Sequence, residues 1–204
     1  VILDLNEMDK ASVYHAMTQT LVPRPIAWVL SESAQGALNL APFSYFTAVC
    51  SDPPLIMISV GKKPSGEEKD TFLNIIEQKQ FVIHIADEQL AEAVTLSSKT
   101  LPRDHSEVDL CGLQTVNEAG FALPRLVGPK IAMACKLHST QTMGALDQNL
   151  IFGQIESIWI DDHVLAEDAQ GRMKVMADQL KPLGRLGGSE YQTFGNTLSV
   201  ARPK

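Results

Sequence analysis

Residues Leu150 to Ile160 read LIFGQIESIWI, and the alternation within them sets the class of fold: Gln154 and Glu156 fall on one parity, Gly153, Ile155, Ser157 and Trp159 on the other. Side chains of a strand point alternately to its two faces, so this run is a half-buried strand. On either side of it, Pro25 to Leu30, Leu55 to Val60, Phe81 to Ala86, Ile131 to His138 and Leu198 to Ala201 are short apolar or alternating runs bounded by Gly, Pro, Asp or Asn, which predicts further strands. Helical periodicity is scarcer. Asp70 is placed to cap a helix over Thr71 to Gln80, where Phe72, Ile75 and Ile76 recur at i, i+3 and i+4. A second amphipathic stretch, Asp87 to Ser97, turns Leu90, Ala91, Val94 and Leu96 inward. Many strands, few short helices and no regular βαβ alternation predict an antiparallel barrel with helices packed outside it, not a Rossmann sheet.

The 204 residues show no internal repeat and no long polar linker, which predicts one domain over residues 1–204. Lys62 to Lys69 and Lys99 to Glu107 are loop-like in composition and interrupt structured runs without dividing domains. The net charge of −7 repels polyanions, so no nucleic-acid partner is expected. No apolar run approaches the roughly 18 to 20 residues of a membrane span, so no membrane partner is expected either, and the cytoplasm is the expected location. Cys50, Cys111 and Cys135, odd in number and far apart, read as reduced and mostly buried thiols. The five histidines are equally scattered, and no metal site is expected. The glycine-rich nucleotide motifs and the G-x-S-x-G elbow are missing, and Asp161-Asp162-His163 reads as a turn after a strand.

Chemistry concentrates in one uninterrupted block from Val22 to Gly61, VPRPIAWVLSESAQGALNLAPFSYFTAVCSDPPLIMISVG. It reads as a strand, a polar turn with Gly36, an irregular segment from Asn39 to Phe46, a Pro-Pro break and a second strand. Asn39, Pro42, Phe43, Ser44, Tyr45 and Phe46 combine hydrogen-bonding groups with flat apolar surface, the mix that suits a planar heteroaromatic ligand. A loop that buries its own aromatics has the same composition. Downstream, Lys69-Asp70-Thr71 opens a helix, where free amides, the positive end of the dipole, a hydroxyl and an ammonium can hold a phosphate. The alternative is Asp70 as a plain cap with Lys69 in solvent. Arg24, between two prolines that fix its backbone, is a second candidate cation for the same anion.

These blocks, in order, are Pro23 to Val29, Asn39 to Phe46, Ser51 to Pro54, Lys69-Asp70-Thr71 with Asn74, and Arg185 to Tyr191. Together they resemble the flavin reductase-like proteins of the FMN-binding split-barrel superfamily, flavoredoxin-type members included. The resemblance implies a six-stranded antiparallel split β-barrel with peripheral helices, in a homodimer with FMN near the subunit interface. It implies that Asn39 to Phe46, with Ala41, Pro42 and Tyr45, lies along the isoalloxazine, the Asn39 side chain at its polar edge and Ser44 turned towards the phosphate tail. Ser59, Val60 and Gly61 close the other side. Arg24, Lys69 and Thr71 bind the phosphate and Asn74 braces the helix start. The implied activity is hydride transfer from NAD(P)H to flavin N5 with onward electron transfer, needing no side chain as acid or base, so no catalytic residue is named. The alternative is a flavoprotein carrier fed by a redox protein; a third is a barrel that has lost flavin and binds another planar ligand. Shorter flavin reductases of the superfamily carry a Gly-Asp-His stretch where this chain has Ala145-Leu146-Asp147-Gln148-Asn149, which makes NAD(P)H use the weaker implication. His84 and His138 read as core or barrel-rim residues, and Tyr191 with the Arg185 to Gly188 turn as packing or site-lining.

Overall fold

Alternation along the chain becomes one antiparallel sheet of seven strands. The computed structural model describes residues 1–201 and 203. The elements run α1 (Lys10–Thr20), β1 (Ala27–Glu32), β2 (Leu38–Phe43), β3 (Phe46–Ser51), β4 (Pro54–Val60), α2 (Asp70–Gln78), β5 (Gln80–Ile85), α3 (Ala91–Leu96), α4 (Glu107–Leu110), β6 (Ile131–Met143) and β7 (Gln148–Ile160). The strand order is β2–β1–β5–β6–β7–β4–β3. Short strands Arg24–Pro25, Gly184–Arg185 and Tyr191–Gln192 form a separate three-stranded sheet beside it.

The central strands are apolar on both faces because both are covered. Along β1, Trp28 and Leu30 pack with Leu40, Val82, Val94 and Leu126, while Ala27 and Val29 pack with Phe43, Ile58, Ile75, Phe81 and Ile151. Gly153 on β7 has no Cβ because the Phe81 ring lies against its backbone.

Several expectations are corrected. The segment Asn39 to Phe46 is not irregular: it is most of β2 and the start of β3, broken only at Ser44-Tyr45. Pro42 is tolerated because β2 is an edge strand with β1 on one side only. The sheet therefore has seven strands, not six. Among the described residues no ladder joins the edge strands β2 and β3, so the sheet stays open where Ser44-Tyr45 connects them, beside a hydrogen bond from Ser59 N to Tyr45 O (2.9 Å). Leu198 to Ala201 forms no strand and is exposed, having no partner strand to bury its apolar side chains. Lys69, not Asp70, is the N-cap of α2, which ends at Gln78 before Lys79 in the left-handed conformation (φ 64°). The Asp87 to Ser97 stretch is a 3-10 turn at Glu88–Leu90 followed by α3, and this shift leaves Leu96 exposed. Cys50 is exposed on the edge strand β3, while Cys135 is buried. No helix among the described residues is long and apolar enough to cross a membrane.

Candidate functional site

The start of α2 gathers four of the expected residues. The Asn39 amide nitrogen donates to Thr71 Oγ1 (2.9 Å) and lies 3.4 Å from Ser31 Oγ, and Asn74 Nδ2 donates to the same serine oxygen (3.3 Å). Asn39, Thr71 and Asn74 are buried, as is Ser31. Asn39 is thus turned into the fold, bracing the helix start, and not out towards a ring edge. Asn74 Oδ1 is buried without a partner among the described residues. Lys69 sits at the N-cap without a side-chain capping bond, and its ammonium stands 5.5 Å from the centroid of the Phe43 ring. Burial pulls its pKa below the usual lysine range. Among the described residues no carboxylate pairs with it, whereas its neighbours Lys62 and Lys63 are bound to Glu68 and Asp70. Phe72 N and Leu73 N both reach Lys69 O (3.0 and 3.2 Å), and the Asp70 and Thr71 amides have no partner among the described residues at the positive end of the helix.

Arg24 has a different assignment from the one expected. It is buried, donating from Nη1 to Thr18 O and Leu21 O (2.7 and 2.6 Å), from Nη2 to Leu186 O (2.8 Å) and from Nε to Ser44 Oγ (3.4 Å). Those carbonyls take three of its five N–H groups, so it clamps the end of α1 to the Leu186 turn and is turned into the fold, not presented at the start of α2. Ser44 correspondingly faces Arg24. Tyr45 packs in the same place, its hydroxyl buried without a partner among the described residues and its pKa raised by burial. Arg24, Ser44, Tyr45 and Ser59 line one apolar groove of about 660 Å³, shared with Met57 and Leu150.

The third group lies on β4. Ser59 Oγ accepts from Gln148 Nε2 (3.0 Å), and Val60 is fully buried, so only its backbone can face a ligand. Gly61 follows, where an added Cβ would stand 3.3 Å from Gln148 Oε1. Ala41 packs beside Phe43 on the inner face of β2, while Pro42 faces the opposite side.

Sequence reasoning missed α1, whose cap Asp9 accepts from Ala11 N and Ser12 N (2.9 and 3.0 Å) but which buries only Thr18. It also missed Glu107, whose Oε2 accepts from Leu40 N (2.9 Å) on the free edge of β2. Burial raises the Glu107 pKa against the opposing pull of that amide. His84 is a core residue: its Nδ1 lies 3.1 Å from Trp28 O, its Nε2 accepts from Leu126 N (2.9 Å), and burial lowers its pKa to about 4. His138 is exposed on β6. The Ala145 to Asn149 stretch covers the β6–β7 turn and the start of β7.

Residues 18–177 match the family model described as flavin reductase like domain. The chain belongs to that family. Several chains of known structure superpose over nearly its whole length. Nitrilotriacetate monooxygenase component B from Bacillus cereus is 33% identical, with a TM-score of 0.88 over 98% of each chain. The 2-nitrobenzoate 2-nitroreductase NbaA of Pseudomonas fluorescens is 29% identical, with a TM-score of 0.88 over 100% of this chain and 96% of that one. A split barrel domain from Shewanella frigidimarina NCIMB 400, 18% identical, covers 97% and 96% with a TM-score of 0.82, which shows the fold alone. Within this flavin reductase-like chain, the unpaired Lys69 ammonium and the free amides of α2 fit a phosphate tail.

Proposed function

We propose that this flavin reductase-like chain is an FMN-binding oxidoreductase, taking hydride from NAD(P)H and passing the electrons onward, and that it works as a homodimer with FMN near the subunit interface. The observation that carries the reading is the half-buried ammonium of Lys69 at an open helix start, with no carboxylate paired to it among the described residues. A buried charge without a counterion costs free energy that a bound anion restores. When bound, FMN supplies hydride acceptance at N5 and onward transfer of the electron pair.

The chain's own residues bind and orient. Lys69 and the Asp70 and Thr71 amides hold the phosphate, with Asn39, Ser31 and Asn74 fixing Thr71 from behind. Pro42, Ser44 and Tyr45 supply the ring's flank, with Ala41 packed behind them on the inner face of β2, and Ser59, the Val60 backbone and Gly61 the opposite wall. No side chain is assigned a proton. The names of the two relatives at 33% and 29% identity, an oxygenase component and a nitroreductase, support onward transfer of electrons. A carrier fed by a redox protein is favoured by one observation, the stretch Ala145 to Asn149 without a histidine. Anaerobic bleaching of the yellow protein by NADPH supports the reductase; bleaching by a reduced redox protein alone supports the carrier.

Lys69→Ala tests the site. It is expected to weaken FMN by on the order of 1.5 to 3 kcal/mol, about ten- to a hundredfold in Kd, the worth of a charge-assisted hydrogen bond. Riboflavin, which lacks the phosphate, is expected to lose far less. Equal losses for both ligands in a fluorescence-quenching titration refute the assignment.

A further inference from the structure

We infer that the cleft between α1 and the turn Arg185 to Tyr191 binds a small aromatic carboxylate. The inference rests on the flavin reading, because Pro42 and Ser44, assigned there to the flank of the ring, also line this cleft. It names the class of organic molecule that would lie beside the flavin.

The cleft encloses about 380 Å³, near the low end of small-molecule sites and suited to a single ring. Tyr14 lines one side, with its ring largely in solvent, and Tyr191 another, its hydroxyl held 2.9 Å from Thr95 Oγ1. Among the described residues Arg185 is the only charged one lining it. The guanidinium carbon lies 4.7 Å from the Tyr191 ring centroid, and Nη1 and Nη2 donate to the carbonyls of Glu190 and Gly188. Among the described residues no carboxylate pairs with Arg185, so Nε–H and one N–H on each terminal nitrogen remain for a ligand. A planar fork laid over an aromatic ring matches a carboxylate in two hydrogen bonds, while a ring attached to that carboxylate finds the tyrosine faces and Pro42.

The cleft has a fixed shape because the buried Arg24 ties its parts together. One guanidinium donates to Thr18 O and Leu21 O at the end of α1, to Leu186 O in the turn, and to Ser44 Oγ between them. Glycines in the turn keep its backbone close: an added Cβ at Gly187 would collide with Gln19 of α1.

Calorimetric titration of the FMN-loaded protein with benzoate and with benzamide, the same ring without the charge, tests the inference. Benzoate is expected to bind at least about tenfold more tightly than benzamide. Arg185→Gln and Tyr14→Ala are each expected to weaken benzoate about tenfold, with FMN affinity, read separately by fluorescence quenching, unchanged within about twofold. Tyr14→Ala matters because its ring is exposed, so its loss leaves the fold intact even if the Arg185 variant loosens the turn. Benzamide binding as tightly as benzoate, or benzoate indifferent to both substitutions, overturns the proposal. A protein that takes up no flavin counts against the function proposed above; benzoate titrated into that flavin-free protein then decides the cleft by the same two criteria.

Discussion

Among single side chains, His84 shows how burial sets chemistry. It is fully buried, with one ring nitrogen against Trp28 O and the other accepting from Leu126 N, an arrangement that needs the neutral imidazole with its proton on Nδ1. Burial is the main cause of a pKa near 4, with the Arg125 charge acting in the same direction and the Trp28 carbonyl opposing it. The unfolded chain takes up this proton near pH 6.5, the native one only near 4, so the native state loses stability as pH falls between those values and none further below them. The full difference amounts to about 3 kcal/mol. Urea unfolding at a series of pH values is expected to show that loss, and His84→Gln, less stable at neutral pH, is expected to show a flatter profile over the same range. An unchanged pH dependence in the variant refutes the assignment. Lys69 and Arg24 carry a complementary lesson. Both were legible as cations for one anion, but of the two only Lys69 is left without a hydrogen-bond partner among the described residues, because Arg24 meets Leu186 across 162 residues of sequence, a contact no local pattern encodes.

Among the elements, legibility follows the number of covered faces. The inner strands β1, β4, β5, β6 and β7 were readable because burial demands apolar side chains along them, with β1 shifted by two residues from the expected Pro25 to Leu30, small shifts at β4 and β5, and the lengths of β6 and β7 underestimated. The edge strands β2 and β3 were not, since β3 is largely exposed and β2 carries Asn39 and Pro42. The helix α1 was missed because it buries a single side chain, and Leu198 to Ala201 was read as a strand on apolar composition that nothing in the fold uses. The edge β2 is protected by two devices visible only in three dimensions. Leu40 N donates outward to Glu107 Oε2, and Pro42, two residues on and facing the same edge, has no N–H to leave unpaired. Glu107→Ala is therefore expected to cost on the order of 1 to 3 kcal/mol and to speed exchange of the Leu40 amide, with Glu107→Gln recovering most of both because it keeps an acceptor oxygen. Native-state hydrogen exchange measured together with urea unfolding checks this; a Leu40 amide equally protected in the alanine variant shows that the edge is covered by something else.

For the molecule as a whole, the question is what covers the exposed outer strand. Every residue of β3 after Phe46 is exposed, as is the outer half of β6 from His138 to Met143, and Val49 and Met143 are large apolar side chains among them. The groove holding Ser44, Tyr45 and Ser59 opens next to Thr47 at the start of β3, so a second copy seated on this surface would close the flavin site as well as the sheet edge. The proposed homodimer then has a measurable linkage: a ligand bound by residues of both chains must stabilise the dimer, and dissociation must release it. Sedimentation of the FMN-loaded protein is expected to give twice the 22.3 kDa chain mass, and dilution towards the monomer is expected to free flavin in step with dissociation. Val49→Asp places an unpaired charge in that surface and is expected to shift the protein to monomer and weaken FMN by about tenfold or more with an unchanged far-ultraviolet circular dichroism spectrum. A monomer that keeps its flavin at full occupancy shows that one chain completes the site, and the exposure of β3 then requires a different partner.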